Sequence, residues 1–110
     1  MATIDFSLKS GDTRPSIQAT LTGADGSVAV LTGATARFKM RPVGGGALKV
    51  DAAAVIVTPA SGVVRYDWVA ADTDTPGQFY AEWECDFGGG LVQTFPNDRS
   101  LLVVITAAVG

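Results

Sequence analysis

Three carboxylates at alternate positions, Glu82, Glu84 and Asp86, are the residues in this chain that most suggest acid–base chemistry. Paired carboxylates flanking a scissile bond serve a glycosidase, one as proton donor and the other as base or nucleophile. Same-face neighbours on one strand stand about 7 Å apart, and nothing in the sequence marks a cleft for them. A solvated or partner-facing acidic stripe is the plainer reading. Asp72 and Asp74 have the D-x-D spacing of a calcium loop, yet no downstream bidentate Glu or EF-hand glycine follows. A turn in which Asp and Thr side chains bond the backbone accounts for them. Gly44-Gly45-Gly46 and Gly88-Gly89-Gly90 lack the Lys-Ser/Thr of a phosphate loop, and no helix pattern follows either, so both read as hairpin tips. Cys85 falls in phase with Trp83 and Phe87, which makes it a small core residue rather than a nucleophile. The chain contains no histidine. That removes the usual general base, the commonest metal ligand and every Ser-His or Cys-His pairing. No enzyme activity, cofactor or metal is expected.

The elements that must carry these residues alternate with period two. Ile17, Ala19 and Leu21 alternate with Gln18, Thr20 and Thr22; Ala36, Phe38 and Met40 with Arg37, Lys39 and Arg41; Val64, Tyr66 and Trp68 with Val63, Arg65 and Asp67. The longest run sets Phe79, Ala81, Trp83, Cys85 and Phe87 on one face and Gln78, Tyr80, Glu82, Glu84 and Asp86 on the other. Each pattern is that of a strand with one buried face. Turn signals separate them: Gly23 to Gly26, Pro59-Ala60-Ser61-Gly62 and Asp72 to Gly77. Ala47 to Val57 is ambiguous, since its three alanines favour helix while Val50, Val55, Ile56 and Val57 favour strand; it reads as a strand with a kink or bulge. Leu101 to Ile105 is apolar on both faces, so it is a central strand or one covered by another protein. The echo of Asp12-Thr13 in Asp72-Thr73 reads as two similar turns.

These elements imply one all-β domain over residues 1–110, a sandwich or barrel of short strands. Its expected core comprises Phe38, Met40, Tyr66, Trp68, Phe79, Ala81, Trp83, Cys85 and Phe87. Tyr80 is the outward aromatic, available for stacking on a sugar or a partner. With Glu82, Glu84, Leu102 and Val104 it forms the candidate partner-facing set. The composition fits such a surface. Hydrophobic residues make up 47% of the chain, as in an average globular protein, but charged residues only 17%, where about 25% is usual. Net charge is −3, so no basic footprint for nucleic acid exists. A single cysteine rules out an intramolecular disulfide. The N-terminus has no basic region followed by an apolar one, and no apolar stretch approaches the roughly 20 residues of a membrane helix. Neither a signal sequence nor a membrane span is expected.

The ordered blocks carry a family resemblance. Ser10-Gly11-Asp12-Thr13-Arg14-Pro15, then Leu31-Thr32-Gly33-Ala34-Thr35 with Phe38-Lys39-Met40-Arg41, resemble the opening of the phage baseplate upper protein N-terminal domain family. The likeness continues through Gly62 to Trp68 and Asp72 to Gly77, and ends with Phe79 to Glu84 and Thr94-Phe95-Pro96-Asn97. The resemblance implies an immunoglobulin-like β-sandwich of about seven to nine antiparallel strands, a module of tailed-phage particles made in the host bacterial cytoplasm and located in the virion. Its partners would be other phage structural proteins of tail, baseplate or capsid, met as a homo-oligomer or symmetric array. Larger members continue into coiled-coil and receptor-binding parts. This sequence shows no heptad segment, which suggests a small tail, baseplate, connector or capsid-decorating subunit. A small carbohydrate- or receptor-binding module is the alternative.

Overall fold

The computed structural model describes residues 4–23, 25–96 and 99–109. Among these residues eight strands form, six of them where the sequence places strands, with β1 and β7 added: β1 (Phe6–Lys9), β2 (Ile17–Thr20), β3 (Thr35–Pro42), β4 (Val50–Thr58), β5 (Val63–Tyr66), β6 (Gly77–Asp86), β7 (Val92–Phe95) and β8 (Leu101–Thr106). They hydrogen-bond in the order β1-β8-β6-β3-β4-β5-β2, with β7 beside β6, and curl toward a barrel. The long strand β6 organises the sheet. It pairs with β3 from Phe79 to Asp86 on one side, while β8 and β7 share the other.

β4 passes from one half of the sheet to the other. Its first residues, Val50 to Ala54, pair with β3, and Val55 onward pairs with β5. The irregularity expected in this segment appears as a register shift against β5 between Ile56 and Thr58. Strand wins over the helix propensity of Ala52-Ala53-Ala54 because Ala52 and Ala54 pack against the core from one face.

All the other strand pairs are antiparallel, but β1 runs parallel to β8, Phe6 facing Val103 and Leu8 facing Ile105. The expectation of a purely antiparallel set is thus corrected to a mixed sheet. With β6 on one flank of β8, the N-terminal segment takes the other flank, and Phe6 and Leu8 turn inward there. That placement also shows Leu101 to Ile105 to be the central-strand alternative. Both edges of β8 are occupied.

The core follows the alternation closely. Phe38, Met40, Tyr66, Trp68, Phe79, Ala81, Trp83 and Cys85 are all buried. Phe87 is the exception: it lies just past the end of β6 and is only half-buried, packed against the rim of the core. Phe38 stacks on Tyr66 with ring centroids 4.9 Å apart, meets Trp68 edge-on at 5.5 Å and Trp83 at 4.8 Å. One ring of β3 therefore contacts β5, β6 and the segment after β5.

A close approach of backbones sits at the start of β5. Gly62 has φ +69°, and a Cβ there would lie 2.7 Å from the Ala29 carbonyl oxygen and 2.9 Å from that of Leu21. Gly89 at the β6–β7 tip has a similar φ of +61° with nothing within 4 Å. Gly89→Ala should cost about 1 kcal/mol, the ordinary left-handed penalty. Gly62→Ala should cost about 1–3 kcal/mol beyond that, from the forced backbone shift. Urea denaturation of the two variants separates the effects, and equal losses would contradict the clash.

Candidate functional site

The five candidate partner-facing residues come together on the outer face of one sheet, because β6 and β8 are neighbours. Tyr80 stands directly opposite Leu102 on one side and Arg41 on the other; Val104 stands opposite Gln78. Tyr80 is 37% exposed. Leu102 is 7% exposed, so it offers little surface to a partner. Its strand neighbours explain this: Tyr80 flanks it, and Asp5 both donates its main-chain N–H to Leu102 O and accepts the Leu102 N–H on its carboxylate. Partial burial works to raise the Asp5 pKa. The Arg99 guanidinium and the Leu102 N–H outweigh it and hold that carboxyl below the usual range. Val104 is half-buried.

The acidic stripe is matched by a basic one. In the β3–β6 register Glu82 faces Lys39 and Glu84 faces Arg37. Lys39 Nζ reaches diagonally to Glu84 Oε2 at 3.1 Å, and Arg37 Nε donates to Asp51 on β4 at 2.9 Å. Ser100 Oγ lies 3.5 Å from Glu82 Oε2. These half-exposed ion pairs contribute at most about 1 kcal/mol each, and within the stripe it is Glu84 that they neutralise. Between Tyr80, Arg41, Lys39, Glu82 and Leu48 lies a shallow hollow of about 190 Å³.

The D-x-D pair takes two separate structural posts. Asp72 is buried and accepts hydrogen bonds from Tyr66 Oη at 2.6 Å and from the Val69 N–H at 2.9 Å. Asp74 is exposed and accepts from Lys49 Nζ at 2.5 Å and from Thr75. Thr73 between them is wholly buried; its hydroxyl donates to the Asp12 carbonyl, and its own carbonyl accepts the Gly11 N–H. The two Asp-Thr turns are thus bonded to one another. Among the described residues no group of three His, Cys, Asp or Glu side chains is placed to hold a metal ion, and no helix is long and apolar enough to cross a membrane. Cys85 is fully buried, and burial, with the nearby Glu84 charge, pushes its thiol up to about 11. A nucleophile needs the opposite shift.

One outward feature lay outside the candidate set. β4 turns Ala53, Val55 and Val57 away from the core, and the two valines are 42% and 41% exposed. The signal was present in the run Val55-Ile56-Val57, apolar on both faces. Compared by sequence with known protein families and with curated proteins, the chain matches none of them.

The Tyr66–Asp72 contact has a pH signature. An unfolded tyrosine ionises near pH 10. In the folded protein burial, the hydrogen bond to Asp72 and the charges of Asp72 and Asp67 hold Tyr66 far above that. Its stabilising contribution is complete below pH 10 and is lost as pH rises beyond it, where only the unfolded chain sheds the proton. Tyr66→Phe should lower stability by about 1–2 kcal/mol at neutral pH and flatten the alkaline decline. Chemical denaturation at neutral and alkaline pH measures both; an unchanged alkaline slope would contradict the assignment.

Proposed function

We propose that this protein is a non-enzymatic structural subunit of a tailed bacteriophage particle, an immunoglobulin-like β-sandwich that docks on other virion proteins. The observation that carries the reading is the outward row Ala53, Val55 and Val57 on a chain with only 17% charged residues. A neighbouring subunit covering both valines gains up to about 1.5–3 kcal/mol for each side chain fully buried. β1 and β2, at the two ends of the strand order, add main-chain donors and acceptors for pairing with a neighbour. The passage of β4 between two halves of the sheet supports a sandwich of the immunoglobulin kind. The blocks that resemble the phage baseplate upper protein N-terminal domain family support the virion setting. In this role the carboxylates of β6 serve the sheet's own charge ladder, with no reaction assigned to them. Tail, baseplate, connector and capsid positions all suit a subunit of this size.

Quantitative mass spectrometry of purified particles tests the reading. The protein should be present at a fixed copy number per virion, and its absence from mature particles would overturn the proposal. A Val55→Asp, Val57→Asp variant, soluble and folded by circular dichroism, should be incorporated at least tenfold less. A second reading, a module for surface carbohydrate, draws on the hollow beside Tyr80. Glycan-array binding that disappears in Tyr80→Ala favours it, and no binding at millimolar sugar removes it.

A further inference from the structure

The shallow hollow on the outer face of β3 and β6 has more than an aromatic wall. Its lining of about 190 Å³ includes Lys39, Arg41, Leu48, Tyr80, Glu82 and Ser100. Strand register brings them together. Arg41 stands directly opposite Tyr80, and Lys39 directly opposite Glu82 one row further along the same face. Ser100 closes the Glu82 end, its hydroxyl 3.5 Å from Glu82 Oε2. Tyr80 and Leu48 are both exposed, so aromatic and aliphatic surface lies open beside the polar groups.

The two cations of the hollow differ in state. Lys39 is neutralised by Glu84, as Arg37, Lys49, Arg65 and Arg99 are by carboxylates elsewhere. Arg41 is exposed, and among the described residues its guanidinium has no ion pair or hydrogen bond. Lys9 and Arg14 share that state but do not line the hollow. Glu82 receives only the long contact from Ser100, so its carboxylate keeps acceptor positions free. Arg41 and Glu82 are diagonal neighbours across the two strands, about 7–8 Å apart at the backbone. They are not paired with each other, and Tyr80 stands beside the gap between them.

A fork of donors at one end, an aromatic face in the middle and a free acceptor at the other describe the complement of one ligand class. We propose that the hollow binds a sugar residue bearing a carboxylate, a uronic or sialic acid unit of a glycan. The sugar carboxylate accepts from the Arg41 guanidinium, whose fork matches it bidentately. The apolar face of the ring lies on Tyr80 against Leu48, and ring hydroxyls donate to Glu82. The hollow is smaller than the roughly 300–1,000 Å³ that encloses a drug-sized ligand, and it suits a single ring. This assignment rests on the carbohydrate reading given second above and names its sugar class. The virion role does not depend on it.

Titration of 15N-labelled full-length protein tests the site, followed at the backbone amides of Lys39, Tyr80 and Glu82. The probes are methyl glucuronide and methyl sialoside, with methyl glucoside as a ring without carboxylate and acetate as a carboxylate without ring. At least one acidic sugar should bind about tenfold more tightly than methyl glucoside, since bonds to a guanidinium are charge-assisted. Which of the two responds assigns the uronic or the sialic class. Arg41→Gln should abolish the preference for the acidic sugar, and Tyr80→Ala should abolish binding of every sugar. Equal binding of the acidic sugars and the glucoside overturns the proposal and leaves the carbohydrate reading standing. No shift with any sugar at about 50 mM, far above a millimolar dissociation constant, overturns both. The proposal is equally overturned if acetate moves the same amides as strongly, which marks an adventitious ion only, or if folded Arg41→Gln keeps the preference.

Discussion

Phe38 is the side chain at which the two halves of the sheet meet. It reaches from β3 to stack on Tyr66 of β5, with Trp68 and Trp83 against its other sides. Four aromatic rings are thereby held together from β3, β5, the segment after β5 and β6, and aromatic pairs of this kind add about 0.5–1.5 kcal/mol each beyond their burial. The arrangement constrains what surrounds it. Tyr66 can bring its ring this deep only if its hydroxyl finds a partner, and buried Asp72 supplies one. Asp72 in turn fixes the turn before β6, and Thr73 ties that turn to the loop after β1. Core and loops are locked by one connected set of contacts.

The alternation of side chains is what made most of this readable beforehand. Period two fixes which residues share a face, and a strand buried on one side must put its large apolar residues there. Phe38, Tyr66, Trp83 and Cys85 follow that rule, as do Tyr80, Glu82 and Glu84 on the opposite face. Alternation says nothing about which strands become neighbours. The parallel union of β1 with β8 joins residues nearly a chain length apart, and the short, mixed run at Phe6–Lys9 gives no local sign of it. The matching of Glu82 and Glu84 by Lys39 and Arg37 depends on register and was likewise invisible. Leu102 shows the same gap: outward by its position, it is covered by Tyr80 and Asp5 in its own row.

The two strands that are apolar on both faces have opposite fates. β8 sits between β1 and β6 and loses most of its outward apolar surface to its neighbours. β4 crosses between the halves of the sheet and leaves Val55 and Val57 exposed. Hydrophobicity alone cannot separate these cases; position in the sheet does. The low charge of the chain acquires a location from this difference. On β4 the sheet offers backbone regularity and exposed aliphatic side chains together, while Lys39 and Arg37 on the outer face pair with Glu84 and Asp51.

The most direct measurement is a cryo-electron microscopy reconstruction of the phage particle at a resolution that shows side chains. The account predicts a repeated density that fits this eight-stranded domain, with a neighbouring subunit closed over Val55 and Val57. A domain bound with both valines open to solvent, or no density of this shape in head, connector, tail or baseplate, would contradict it.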